Sequence, residues 1–308
     1  MPNLDKIKTC RIQYKLQIDG YYSGNPSIFV ELFGCNLTCP KLNSGVAYVK
    51  PKFYENQNQV YTGLIHSGCD HAHAFDSEFY YLAERNTLED LCEKILSVLP
   101  NRSWLLPSGK PVHLVFTGGE PLLQQQVLVE VLKKLDYLSN IEKRKPLSYI
   151  TIETNCTLAL EDETVDYFKA WEKNTKYLED FKREILFANS PKLSNSGESI
   201  DYLVSADAIS TQLQNMFKAT FKFVCPPEKK YFQEIEDYFS DVVTAIEEEE
   251  LDLIAIAEFG HRIRKALVYI SHEAANRNQI EYSDLRKLSN FCLEYGYILT
   301  LRNHLFWE

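Results

Sequence analysis

The sequence predicts an α/β fold on a largely parallel sheet, closed or partly closed into a barrel. Three observations predict it. Short β-type runs alternate with helical patterns along most of the chain. The chemically rich tetrads GCNL, TGGE, ETNC, SPKL and SHEA each follow the C-terminal end of one such run. No internal repeat or low-complexity linker divides the 308 residues, so a single domain over 1–308 is expected. Alternation of this kind implies right-handed crossovers, and ligands bind beyond the C-terminal strand ends of such sheets.

In chain order, SIFVEL (27–32) reads as a strand running into GCNLTCP. TLEDLCEKILSVL (87–99) has apolar residues at 88, 91, 95 and 98, and Thr87 and Asp90 stand at N-cap and N3 spacing, which marks a helix. HLVFT (113–117) is a short buried strand ending in GGEP, and QQQVLVEVLKKL (124–135) is the helix after it. Further strands are expected at 149–154 (YITIET), 185–190, 220–224 (TFKFV), 266–270 (ALVYI) and 297–302 (YILTLR). Two stretches read as insertions. Residues 41–68 are polar and tyrosine-rich, and 235–262 carry four consecutive glutamates, Glu247 to Glu250, expected on a solvated helix face or loop.

Hydrophobic residues make up 45% and charged residues 25%, and formal net charge is −10. A chain this acidic lacks the basic face that grips phosphate backbones, so no nucleic-acid partner is expected and a small-molecule substrate fits better. No window approaches the roughly 18 apolar residues needed to cross a bilayer. The opening residues have no signal-peptide pattern. A cytoplasmic protein is expected, with thiols kept reduced. Its eight cysteines then serve as metal ligands or as buried hydrophobes.

Cys35 and Cys39 stand either side of three residues just after the first strand, and Cys69 follows 29 residues further on. Cys92 sits at a core-like phase of its helix. Two site types remain open from the residues themselves. One is zinc, completed by His71 or His73; the other is a four-iron cluster on three thiolates, which leaves one iron able to bind a chelating ligand. The TGGEP turn adds weight to the second, since its glycines allow close backbone approach and Glu120 can accept from an ammonium or hydroxyl.

Together these motifs resemble the radical S-adenosylmethionine superfamily, and within it the 7-carboxy-7-deazaguanine synthase family. LQIDGYYSGNPSIFVELFGCNLTC is similar to that family's opening, CDH to its third cysteine, and TGGEPLLQ, ETNC and SPKLSNSG to its later motifs; LVYISHE and LRNHLFW match more loosely. The resemblance implies a partial (βα)6-type barrel with a [4Fe-4S] cluster on Cys35, Cys39 and Cys69. It implies S-adenosyl-L-methionine on the open iron, with Mg²⁺ assisting. The implied reaction converts 6-carboxy-5,6,7,8-tetrahydropterin to 7-carboxy-7-deazaguanine with loss of ammonia, in queuosine-type biosynthesis.

By the same resemblance, Gly119 and Glu120 meet the aminoacyl end of S-adenosylmethionine, and Glu153, Asn155, Ser190 and Lys192 line its ribose and adenine side. Gly68 and Asp70 flank the cluster, while Leu16, Gln17, Ile18 and Thr117 contact the pterin. A flavodoxin- or ferredoxin-type electron donor and a homodimer are also implied. The chain departs from the family pattern at several points. Ile18-Asp19 stands for Gly-Glu, His71 for a Mg²⁺-binding threonine, Ser271-His272 for Met-Pro, and Glu31 for an arginine that holds the substrate carboxylate. Arg302 and His304, with Lys41 or Lys50 behind them, are the expected replacements for that cation.

Overall fold

The computed structural model describes residues 6–42, 51–53, 59–61, 69, 71–174, 182–199, 205–248, 267–272 and 280–300. In chain order the strands are β1 (Ile7–Leu16), β2 (Pro26–Leu32), β3 (Pro51–Phe53), β4 (Gln59–Tyr61), β5 (Glu84–Asn86), β6 (His113–Gly118), β7 (Tyr149–Thr154), β8 (Glu184–Asn189), β9 (Lys218–Cys225), β10 (Leu267–His272) and β11 (Ile298–Thr300). The helices are α1 (Leu88–Val98), α2 (Gln125–Ile141), α3 (Asp162–Lys173), α4 (Ala206–Gln214), α5 (Lys229–Glu248) and α6 (Tyr282–Tyr295).

Among the described residues, nine strands form one sheet in the order β11-β10-β9-β8-β7-β6-β2-β1-β5, and β3 and β4 make a separate small hairpin. Strands β2 and β6 to β11 run parallel, while β1 is antiparallel to β2 and β5 antiparallel to β1. The parallel part is the expected α/β arrangement. Strand β1 was not visible as a strand in the sequence.

Each parallel strand divides its residues between two faces, as a period of two requires. Ile28, Val30, Leu32, Leu114, Phe116, Ile150, Ile152, Ile185 and Phe187 join the buried layer under the helices, with Phe221, Phe223, Val268 and Ile270 continuing it beyond β8. The alternate positions Phe29, Glu31, Thr117, Thr151, Glu153, Leu186, Ala188, Thr220, Lys222, Tyr269 and Ser271 line a common cavity. A sheet whose six consecutive parallel strands converge on one cavity is curved into a partial barrel.

The helix at 87–99 closes as its spacing predicts. Thr87 Oγ1 accepts from the Asp90 N–H at 3.1 Å, and Asp90 Oδ2 accepts from the Thr87 N–H at 3.3 Å, a complete capping box. Residues 235–248, read as part of an insertion, form all of α5 beyond its first six residues. Ile235, Tyr238 and Val242 recur on one face and are buried against the sheet. The rest of that stretch, and most of 41–68, lie outside the described residues. Among those described, no helix is long and apolar enough to cross a membrane.

Candidate active site

The cavity has a volume of about 680 Å³. Its rim at the C-terminal strand ends is made by the loops after β2, β6, β7 and β8. Gly34 joins three of the segments. Its N–H donates to Ala74 O at 2.7 Å, and its carbonyl accepts from the Glu120 N–H at 2.7 Å. The first bond holds the short 3-10 turn Ala72–Ala74, and with it Cys69, beside the loop that carries Cys35. The second fastens the TGGE loop on the other side.

That close approach explains both glycines. A Cβ on Gly118 would lie 2.4 Å from Leu32 O, and one on Gly119 only 1.9 Å from Gly34 O. Gly118 also has a φ of 111°, which side chains rarely adopt. The sequence suggested that these glycines admit a ligand; in the structure the neighbouring strand and loop backbone already fill the space on one side, and both glycines line the cavity on the other.

Cys35, Cys39 and Cys69 pack into one small apolar cluster with Leu37 and Leu42. All three line the cavity. The Leu37 N–H donates to Cys35 Sγ and the His71 N–H to Cys69 Sγ, each at 3.4 Å. Burial pushes the Cys35 thiol up, partly offset by the Leu37 N–H, so metal binding there must drive off the proton. Cys92, Cys156, Cys225 and Cys292 are buried elsewhere, as hydrophobes. Among the described residues, no three His, Cys, Asp or Glu side chains are grouped to hold a single metal ion. A four-iron cluster asks for something else, since each thiolate binds a different iron.

Glu120 is wholly buried and does not line the cavity. Burial raises its pKa, and its carboxylate accepts from the Leu122 N–H at 2.9 Å, Thr154 Oγ1 at 2.8 Å and the Asn155 N–H at 2.7 Å. It therefore ties the TGGE loop to the ETN loop. Asn155 reaches on from there, donating to Asn36 Oδ1 at 2.9 Å. Thr117 donates to Glu153 at 2.6 Å, and Lys192 to Ser190 at 3.2 Å; all four residues line the cavity. So do Leu16, at the end of β1, and Gln17 and Ile18, in the turn after it.

Glu31 also faces the cavity, and it is already partnered. His73 Nε2 lies 2.8 Å away, and Arg11, directly opposite on β1, is 3.8 Å away. Burial alone would raise the Glu31 pKa, but the His73 hydrogen bond and the charges of His71 and Arg11 hold it down at about 2. Burial keeps His73 low, so the neutral imidazole donates to a carboxylate. Arg11, Lys15 and Lys222 all line the cavity, and none was singled out from the sequence. The signal that could have found Arg11 and Lys15 is the polar series Arg11, Gln13, Lys15 on alternate positions of one strand. Gly68, Asp70, Lys50, Arg302 and His304 lie outside the described residues. Lys41 is described but does not line the cavity; its stem packs at Gly197.

The opposite end of the barrel is plugged. Tyr22, in the turn between β1 and β2, donates to Glu184, which also accepts from Lys182 at 2.7 Å and Lys218 at 2.9 Å. His113 stacks on Tyr149 at 4.6 Å between ring centres and meets Tyr22 edge-on at 4.5 Å.

No family model matches the chain, and no curated protein sequence matches it. Solved structures do. QueE from Escherichia coli is 16% identical, with 96% of this chain and 94% of that one covered and a TM-score of 0.50. The structure of native anSMEcpe with bound AdoMet is 12% identical over 85% of this chain and 62% of the other, with a TM-score of 0.38. The likeness to QueE runs over nearly the whole chain and shows that the two share a fold.

Proposed function

We propose that this chain is a radical S-adenosylmethionine enzyme, a ring-contracting lyase that turns 6-carboxy-5,6,7,8-tetrahydropterin into 7-carboxy-7-deazaguanine and ammonia. One observation carries the proposal. Three cysteines from two separate segments gather at the rim of a single cavity, and the TGGE, ETN and SPK loops complete that rim. The QueE-like fold supports it.

The donor set fits a [4Fe-4S] cluster on Cys35, Cys39 and Cys69, with S-adenosylmethionine as its partner. When bound, they supply a hydrogen-abstracting radical. The protein's own residues do the rest. Gly119, Asn155, Ser190 and Lys192 hold S-adenosylmethionine, with Glu153 accepting from its hydroxyls. Glu120 acts behind them, fixing the two loops in register. Leu16, Gln17, Ile18 and Thr117 position the pterin. Arg11, which lines the cavity beside the ionised Glu31, offers the cation for the substrate carboxylate. His71, also at the cavity, adds positive charge when protonated; imidazole suits softer ions better than Mg²⁺, which would take its oxygens largely from the substrate. A flavodoxin- or ferredoxin-type donor supplies the electron.

Anaerobic reconstitution with iron and sulfide, then incubation with S-adenosylmethionine and the carboxypterin, tests this. Formation of both 5′-deoxyadenosine and 7-carboxy-7-deazaguanine is expected by mass spectrometry. 5′-Deoxyadenosine alone would point to a different substrate, and neither product would remove the radical reading.

A further inference from the structure

Half of the SPKLSNSGE stretch has no role in the site just described. Ser190 and Lys192 line the cavity, but Ser194 to Glu198 turn away from it and lie along the Cys-x3-Cys loop. The Lys41 N–H donates to Ser196 O at 2.9 Å. Gly197, at φ 80°, leaves room for the Lys41 stem, which a Cβ there would meet at 2.6 Å. Glu198 makes the decisive contacts. One carboxylate oxygen accepts from the Thr38 N–H at 2.6 Å, from Thr38 Oγ1 at 3.0 Å and from the Cys39 N–H.

Cys39 needs such a hold. Its φ is 44°, in the left-handed region that residues with a side chain rarely occupy without compensation. Released, the loop would relax toward ordinary backbone, and the Cys39 sulfur would move with it. Two backbone donors next to a cysteine could also point at a bound cluster; here a carboxylate takes them and places negative charge beside it.

We propose that Glu198 is a positioning residue that locks Cys39 in its left-handed conformation, and that its charge sets the reduction potential of a cluster held there. The second half rests on the radical reading above; the first does not. A cluster's potential follows local charge and hydrogen bonding, so loss of the carboxylate shifts it positive.

The test compares Glu198→Ala and Glu198→Gln with the parent. In the cluster-free chain, Cys39 is only 3% exposed, so iodoacetamide should modify it slowly. Mapped by peptide mass spectrometry, its alkylation should be about tenfold faster in Glu198→Ala, with Cys35 and Cys69 changed less than about twofold. Glu198→Gln keeps an oxygen acceptor and should alkylate at the parent's rate. After reconstitution it should retain the parent's iron content but titrate at a more positive midpoint potential. An unchanged Cys39 rate in Glu198→Ala overturns the lock, as does equal acceleration of all three cysteines. An unshifted potential in Glu198→Gln overturns the charge effect. If the parent takes up no cluster, the radical reading and the potential claim fall together, and the Cys39 rate still decides the lock.

Discussion

At the end of the cavity where β2, β6, β7 and β8 finish, the loops hold one another through backbone bonds. Gly34 is tied to Ala74 and Glu120, Gly119 to Leu32, and Ser190 to Thr154. Side chains such as Cys35, Glu153, Ser190 and Lys192 are thereby left facing the cavity. At the other end, side chains are spent on one another: Glu184 takes three donors and His113 is enclosed by two tyrosines. The same strands thus present one end organised for chemistry and one organised for stability, as barrel folds tend to do. Changes at the first end should alter cluster binding and turnover, and changes at the second should alter melting.

The sharpest break comes from the thiols. Cys35→Ala, Cys39→Ala or Cys69→Ala should each abolish the visible iron–sulfur absorption and all 5′-deoxyadenosine formation. Cys92→Ala and Cys292→Ala should retain both, at about 1 kcal/mol each in packing. A full cluster in Cys69→Ala would mean that another cysteine completes the set.

Gly119→Ala should come next, because its Cβ has no space against Gly34 O. We expect about 3 kcal/mol of destabilisation and weak cluster uptake. Gly109, also at positive φ but with nothing near its Cβ position, should cost only about 1 kcal/mol as Gly109→Ala, without touching the cluster. Equal thermal and cluster effects at the two positions would contradict the close-packed rim.

Arg11→Met should raise the KM for the carboxypterin about 10- to 100-fold, the worth of a charge-assisted hydrogen bond, while uncoupled S-adenosylmethionine cleavage changes less than about twofold. An unaltered KM would move the carboxylate contact to another cation.

The last expected effect belongs to the plugged end and is read in stability alone. Burial pushes the His113 pKa down to about 4, against some opposing pull from Glu184. The unfolded chain takes up that proton first, so stability present above the ordinary histidine range is lost as pH falls toward 4. Burial would raise the Glu184 pKa, but Lys182, Tyr22 and Lys218 hold it at about 2, so its contribution is lost lower still, between the ordinary carboxylate range and 2. His113→Phe should flatten only the upper part of the stability-against-pH profile, by up to about 3 kcal/mol at pH 4. A profile parallel to the parent's down to pH 4 would show that His113 titrates normally.

What could be read in advance divides along physical lines. The seven parallel strands announce themselves because one face of each is apolar and packs under helices, as in Ile150 and Ile152. Strand β1 does not, because its cavity face is Arg11, Gln13 and Lys15 and much of its other face is only part-buried. The glutamates at the end of α5 hid the recurrence of Ile235, Tyr238 and Val242, which fixes that helix in the core. Of the cysteine rim, the Cys35–Cys39 pair was legible because its spacing is local, and Cys69 was legible only through the family resemblance. The Glu31–His73–Arg11 group and the Glu198 contact were not, since both depend on register between segments far apart in sequence.

The most direct test of the central claim is iron and sulfide quantification with electron paramagnetic resonance on the anaerobically reconstituted, dithionite-reduced protein, before and after S-adenosylmethionine. A cluster with three irons on thiolates and the fourth open should give about four iron and four sulfide per chain, and a reduced-cluster signal that S-adenosylmethionine perturbs. A colourless protein that binds one zinc per chain and shows no such signal would contradict it.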